Sequence, residues 1–241
     1  VQHGVGAAAL AAAGADIASS LSDAATRAVA SAGRVGEHRI SHIGGPPLQG
    51  HLRGLFAGGT LAAEAAGILH GLLESIDTDD VDAAGHSIID LGDDKHTAGR
   101  PHPMIAPSIQ AELIGKAIED SATGAVLFDI VLGFGAHDSP EGVISGAIAE
   151  AVAKRPGPPP ALAGIVIGTE HDPQSRSGVV DALNGAGVTV FDDVGIASIW
   201  AAGIQAVEAG VDEPASWLMA PDRVVVVGTD WFVSPLLEQG A

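Results

Sequence analysis

From residue 52 onward, short unbroken apolar runs alternate with longer segments whose apolar residues return every three or four positions. The runs are "LRGLFA" (52–57), "HSIIDL" (86–91), "AVLFDIVLG" (125–133), "LAGIVIG" (162–168) and "VTVF" (188–191). Each is brief and bounded by Gly, Pro or polar clusters, which predicts a strand buried on both faces. The intervening segments predict helices. One spans 60–76, with Leu61, Ala65, Ile68, Leu69 and Leu72 on one stripe. The next opens at Pro107 and carries Ile109, Leu113, Ile114 and Ala117 at helical spacing. A third covers 139–154 with Ser139 as cap and Pro140 in its first turn. A fourth covers 172–187 with Asp172 as cap and a glycine stop, and a last one covers 194–209. Strand and helix in alternation predict an α/β fold: a flavodoxin-like, doubly wound, parallel five-stranded sheet with right-handed crossovers.

This unit is expected over 51–211. Residues 1–50 read as the tail of a preceding region plus a linker. The first 33 are Ala-rich, with "SLSDAATRAVAS" as one capped helix, and "GGPPLQG" (44–50) is the linker. Residues 212–241 read as a linker and the start of a further strand-helix unit, "RVVVVGTDWFVSPLLEQGA". Both ends are expected to be cuts through a longer protein.

Composition narrows the chemistry. Apolar residues make up 46 % of the 241, ample for a buried core. Without Cys there is no disulfide framework, thiolate metal site or thiol nucleophile. Thirty acids against eleven Lys and Arg give a formal charge of −19, which opposes nucleic acid and anionic membrane as partners. The apolar runs are far shorter than a membrane span, so a soluble, cytoplasmic chain is expected.

In open α/β sheets, ligands collect at the carboxyl ends of the strands near a topological switch. Here those ends are "AGGT" (57–60), "DLGDDKHTAGRPHPMIAP" (90–107), "GFGAHDSP" (133–140), "GTEHDPQSRS" (168–177) and "FDDVG" (191–195). Gly58 and Gly59 allow a tight turn, and Thr60 can cap the helix that follows. The free N–H groups and dipole of that helix start suit a phosphate or carboxylate; a plain βα turn is the alternative. Glu64, one turn on, could point back at the same place or simply face solvent. Pro101 and Pro103 hold Arg100 and His102 out of helical geometry and aim both. Arg100 suits bidentate anion binding, or else a tie to Asp93 or Asp94. Arg176, at the start of the fourth helix, is a second anion candidate. His96, His137 and His171 also fall in these loops. Asp90, Asp93, Asp94, Asp129 and Asp138 could offer oxygen ligands to Mg²⁺, though no metal set is assigned. No H-E-x-x-H, nucleophile elbow or Ser-His-Asp spacing occurs.

The stretches "GLFAGGTLAAEA", "IIDLGDDKHTAGRPHPMI", "AVLFDIVLGFGAHDSPEG" and "IVIGTEHDPQSRS" resemble the FdrA family, relatives of the succinyl-CoA synthetase α subunit, over residues 50–210. The first residues resemble the end of that family's CoA-domain-like region, and 223–241 the opening of the partner protein that often follows FdrA. In the synthetases, the resemblance implies, a glycine-threonine turn opens a helix whose N-terminus holds the phosphate of a phosphohistidine, and a Glu one turn later supports that His. Gly59, Thr60 and Glu64 match those positions. The family's G-H-A-G stretch is absent, and His171 stands in a different context. FdrA-type proteins are linked to oxamate carbamoyltransferase in purine and allantoin breakdown, interconverting oxalurate plus phosphate with oxamate plus carbamoyl phosphate.

The resemblance therefore implies phosphate or carbamoyl phosphate as ligand. Gly58, Gly59, Thr60 and Arg100 would bind it, His102 would orient it or transfer a proton, and Arg176 would stand as a further anion contact. Other subunits of an FdrA-type complex, and an oligomer, are the implied partners. A subunit of an ADP-forming acyl-CoA synthetase and a non-catalytic assembly domain are the alternatives.

Overall fold

The structure, a computed structural model, describes residues 11–12, 15–18, 20–31, 42–70 and 72–207. The unit expected over 212–241 and most of the Ala-rich opening lie outside the described residues. Helix α1, Leu21–Ser31, is the predicted "SLSDAATRAVAS" helix, with Ser20 Oγ accepting from Asp23 N–H at 3.0 Å as its cap.

Residues 42–206 form one compact unit. Its central sheet holds six strands: β2 (His51–Phe56), β3 (Ile76–Asp77), β4 (His86–Asp90), β5 (Thr123–Val131), β6 (Ala161–Ile167) and β7 (Thr189–Phe191). The order is β3-β4-β2-β5-β6-β7 and every pairing is parallel. Without β3, this is the flavodoxin order 2-1-3-4-5, with the switch between β2 and β5. The sixth strand, β3, has two residues at the edge beside His86 and Ser87. It is too short to leave a periodic signature. A separate two-stranded sheet pairs β1 (His42–Gly44) with β8 (Gln205–Val207).

Helices α2 (Gly59–Leu69) and α7 (Val194–Ala201) cover one face. Ala62, Ala65, Leu69, Val194 and Ala197 pack there on Leu52, Phe56, Leu127 and Ile165. Between β4 and β5 run the short α3 (Asp94–Thr97) and α4 (Ser108–Glu119). The other face is covered by α4, α5 (Pro140–Lys154) and α6 (Arg176–Gly185), whose Ile114, Ile118, Ile144, Ile148 and Leu183 meet Leu55, Val126, Phe128 and Val166. Burying both faces explains why the strands read as unbroken apolar runs.

Several helix ends differ from expectation. α2 stops at Leu69 and leaves Leu72 exposed, so the stripe is one turn shorter than its periodicity. Pro107 is the N-cap of α4, one place before the helix. Ser139 precedes α5, but its hydroxyl bonds Glu141 rather than a backbone N–H. Asp172 does not cap α6: its Oδ2 takes the Thr169 N–H at 2.6 Å, and Glu170 reaches the helix start through Ser177 N–H at 2.8 Å. The last helix ends at Ala201.

Candidate functional site

β2 leaves the sheet at Ala57, beside the switch. The next backbone donor, Ala57 N–H, has no strand to bond and is taken at 2.6 Å by Oδ1 of Asp129, in the middle of β5. Gln110 reaches from α4 into the same core, donating to Leu55 O and Asp129 O at 2.9 Å each. Together, one carboxylate and one amide close the ladder where β2 turns into α2.

Asp129 is fully buried. Burial pushes its carboxyl up to about 7, against the Ala57 and Gly58 N–H groups and the Gln110 amide, which favour the ionised form. Its Oδ2 makes no regular hydrogen bond among the described residues.

The helix that follows opens on Gly58, the N-cap, in extended geometry. The sequence predicts Thr60 as the cap. Thr60 is instead the second helical residue, so its hydroxyl sits past the capping position and no side chain caps the start. First-turn N–H groups have no intrahelical acceptor, and Gly59 and Thr60 are exposed. A Cβ on Gly59 would lie 2.5 Å from Asp90 Oδ2. Glycine leaves room there for the close approach of a carboxylate to the helix start, a favourable place for negative charge.

His102 comes to the same spot. A Cβ on Gly92 would meet His102 Nε2 at 2.5 Å, Ala57 O at 2.6 Å and Asp90 Oδ1 at 3.1 Å. Those three atoms thus ring one point. Met104 N–H donates to His102 Nδ1 at 3.2 Å, so the neutral ring carries its proton on Nε2, the nitrogen facing Gly92 and Asp90. His102 meets the rim as a donor.

The neighbouring loops are tied to this edge. Leu91 N–H donates to Phe56 O at 2.8 Å, and His137 N–H to Met104 O at 2.9 Å. Gln174 spans two loops, exchanging bonds with the Gly133 backbone and donating to His137 O, each at 3.1 Å.

The predicted set is therefore divided. Gly58, Gly59, Thr60 and His102 gather at one rim. Glu64 lies on the buried face of α2, 6 % exposed, rather than facing solvent. Arg100 is exposed and makes no ion pair with Asp93 or Asp94; its field acts on Glu112 of α4. Arg176 is paired in this structure: its guanidinium bonds Asp192 and the Val166 carbonyl. His171 is exposed in its own loop, outside the contacts that tie His102 to the rim.

The five acids named for Mg²⁺ do not come together, and among the described residues no three His, Asp or Glu gather as a metal set. Asp129 supports the Ala57 backbone, Asp90 accepts from Gly92 N–H and Asp93 caps α3 through Lys95 N–H. A cavity of about 160 Å³ lies elsewhere, toward the amino ends of the strands, with Arg53, Val81, Lys116 and Asp120 in its wall. None of the rim residues lines it.

Gln110 carries a signal that the candidate set left out. It falls on the stripe of Ala111, Ile114 and Ala117, where a polar residue at a core position needs buried partners.

Parallel sheet, switch point and glycine turn define a flavodoxin-like α/β domain. No helix of the described residues is long and apolar enough to cross a membrane. The chain belongs to the CoA-ligase family, whose model matches residues 55–203. It is also similar to the uncharacterized protein YahF of Escherichia coli strain K12, with 34 % identity over 155 residues, covering 59 % of this chain and 30 % of YahF. The chain thus spans less than a third of that relative's length.

Proposed function

We propose that this CoA-ligase-family domain holds a small phosphorylated or carboxylated substrate at the N-terminus of α2, as an FdrA-type carbamoyl-phosphate-handling subunit. The observation that carries the reading is the meeting of His102 Nε2, the Ala57 carbonyl that leads into the uncapped Gly58–Gly59 turn, and the Asp90 carboxylate around Gly92. Backbone donors fixed in place stabilise charge on a transferring group without reorganising, the most effective form of electrostatic catalysis. His102 would donate from Nε2 to an oxygen of the substrate, acting as orienter or acid. Exposed Arg100, on the same loop two residues earlier, supplies the nearest uncommitted guanidinium in the sequence.

The resemblance of the glycine turn and the G-R-P-H-P-M block to FdrA supports carbamoyl phosphate over a phosphohistidine, since the G-H-A-G stretch is missing. Phe134 is 89 % exposed in the loop after β5, with Ile105 also exposed in the loop before α4 and Ile167 at the end of β6. Such residues support a further subunit covering this edge. No metal is needed for binding in this reading, though Mg²⁺ carried in with a phosphate is compatible with it.

The family match favours a second reading, a subunit of an ADP-forming acyl-CoA ligase. Calorimetric titration of the complete protein with phosphate, carbamoyl phosphate and CoA separates the two. Binding of phosphate and carbamoyl phosphate, weakened at least tenfold by Gly59→Ala, is expected. Binding of CoA alone, or acid-labile phosphate incorporated from ATP, would overturn the carbamoyl reading in favour of the ligase.

A further inference from the structure

We propose that Asp129 is the proton-coupled seat of the α2 turn: an anion settling on the first-turn N–H groups of Gly59 and Thr60 draws a proton from solvent onto Asp129 Oδ2, and departure of the anion returns it. The inference rests on reading that turn as an anion site.

The geometry carries it. Asp129 is 0 % exposed and lies directly behind the turn, with Oδ1 on Ala57 N–H and Oδ2 3.5 Å from the place a Gly58 Cβ would occupy. Oδ2 makes no regular hydrogen bond among the described residues, and the backbone donor that faces it belongs to the N-cap itself. A negative charge in that position repels any anion held on the other side of the same peptide units, through protein rather than water. Two arrangements relieve the repulsion: the anion stays away, or the carboxyl takes a proton. Its titration near neutrality makes the second accessible.

The elements around Asp129 leave few rivals. β6 has no ionisable residue, β2 carries His51 and Arg53 at its amino end, where Arg53 bonds Gly85 O and Ser87 Oγ, and α4 presents the neutral Gln110. On the outer side of α4, Glu112 and Lys116 pair with each other. α2 contributes the buried Glu64, and the loop after β4 contributes Asp90 and His102. Asp90 is half-buried and accepts from Gly92 N–H. Asp129 is the fully buried carboxyl directly behind the turn, and burial pushes it up to about 7.

Binding and protonation are reciprocal. An anion that raises the Asp129 titration by about one pH unit binds roughly tenfold more weakly at pH 9 than at pH 6.

Sulfate is the probe, because inorganic phosphate itself titrates near neutrality. Calorimetry of the 241-residue chain with sulfate at pH 7, in buffers of different ionisation enthalpy, reads the protons taken up. Uptake of a sizeable fraction of a proton is expected in the wild type and in Asp90→Asn, and none in Asp129→Asn. Since Asp129→Asn could unfold the core, ¹³C carboxyl titration of the wild type gives an independent reading. The Asp129 resonance should titrate higher with saturating sulfate than without it.

Saturable sulfate binding with an unmoved Asp129 titration, or with uptake lost only in the Asp90 variant, overturns the coupling and leaves the anion site standing. No saturable sulfate binding at all overturns both.

Discussion

Three atoms from distant parts of the sequence meet where Gly92 lacks a side chain: His102 Nε2, Ala57 O and Asp90 Oδ1. A methyl group there cannot be accommodated without moving backbone. Gly92→Ala should cost about 1–3 kcal/mol in chemical unfolding and displace the His102 ring; an unchanged midpoint would mean the loop is slack. Asp129 gives a prediction with a sign. Its folded-state value is raised from the ordinary 3.8 to about 7, so stability from protonation is present at acid pH and lost as pH rises through about 7. Asparagine mimics the protonated form. The stability of Asp129→Asn relative to wild type should therefore move in the variant's favour between pH 5 and pH 8, as read by thermal unfolding at each pH. A difference independent of pH would show that Asp129 titrates in its usual range. The lone acid inside "AVLFDIVLG" is visible in the sequence, but its partner is not: nothing in the order of residues says that the Ala57 N–H would need an acceptor just there.

At the scale of elements, β2, β4, β5, β6 and β7 were legible because burial on both faces demands unbroken apolar runs. Helix ends were less legible, since capping depends on which polar side chain is already committed elsewhere. Asp172 is bound into the Thr169 turn, and Glu170 takes its place at α6. Thr60 fails as a cap because α2 starts one residue earlier, on glycine. Gln110 joins α4 to both β2 and β5 through two buried carbonyls. Gln110→Leu should cost about 1–3 kcal/mol in urea unfolding, because those carbonyls and Asp129 lose a donor with no water to replace it. A loss below half of that would show that the strands hold the turn without help from α4.

For the molecule as a whole, the flavodoxin order sets the switch between β2 and β5, and the sequence places most of its polar, glycine-rich segments on that edge. Why one rim residue turned inward and another outward was not legible. Arg176 finds Asp192 from the loop after β7, and Glu64 falls on the inner face of α2, both consequences of three-dimensional packing. The chain carries a formal charge of −19, so any anion must be held by local donors against a repulsive field that salt screens. In the proposed function the backbone amides at the start of α2 are those donors. The most direct test is an ¹⁵N-NMR titration of the chain with inorganic phosphate. Saturable shifts confined to the amides of Gly58, Gly59, Thr60 and Leu61 and to the loop from Gly92 to His102, abolished by Gly59→Ala, are predicted. Shifts that never saturate, or that gather around the Arg53 cavity while the α2 amides stay still, would contradict it.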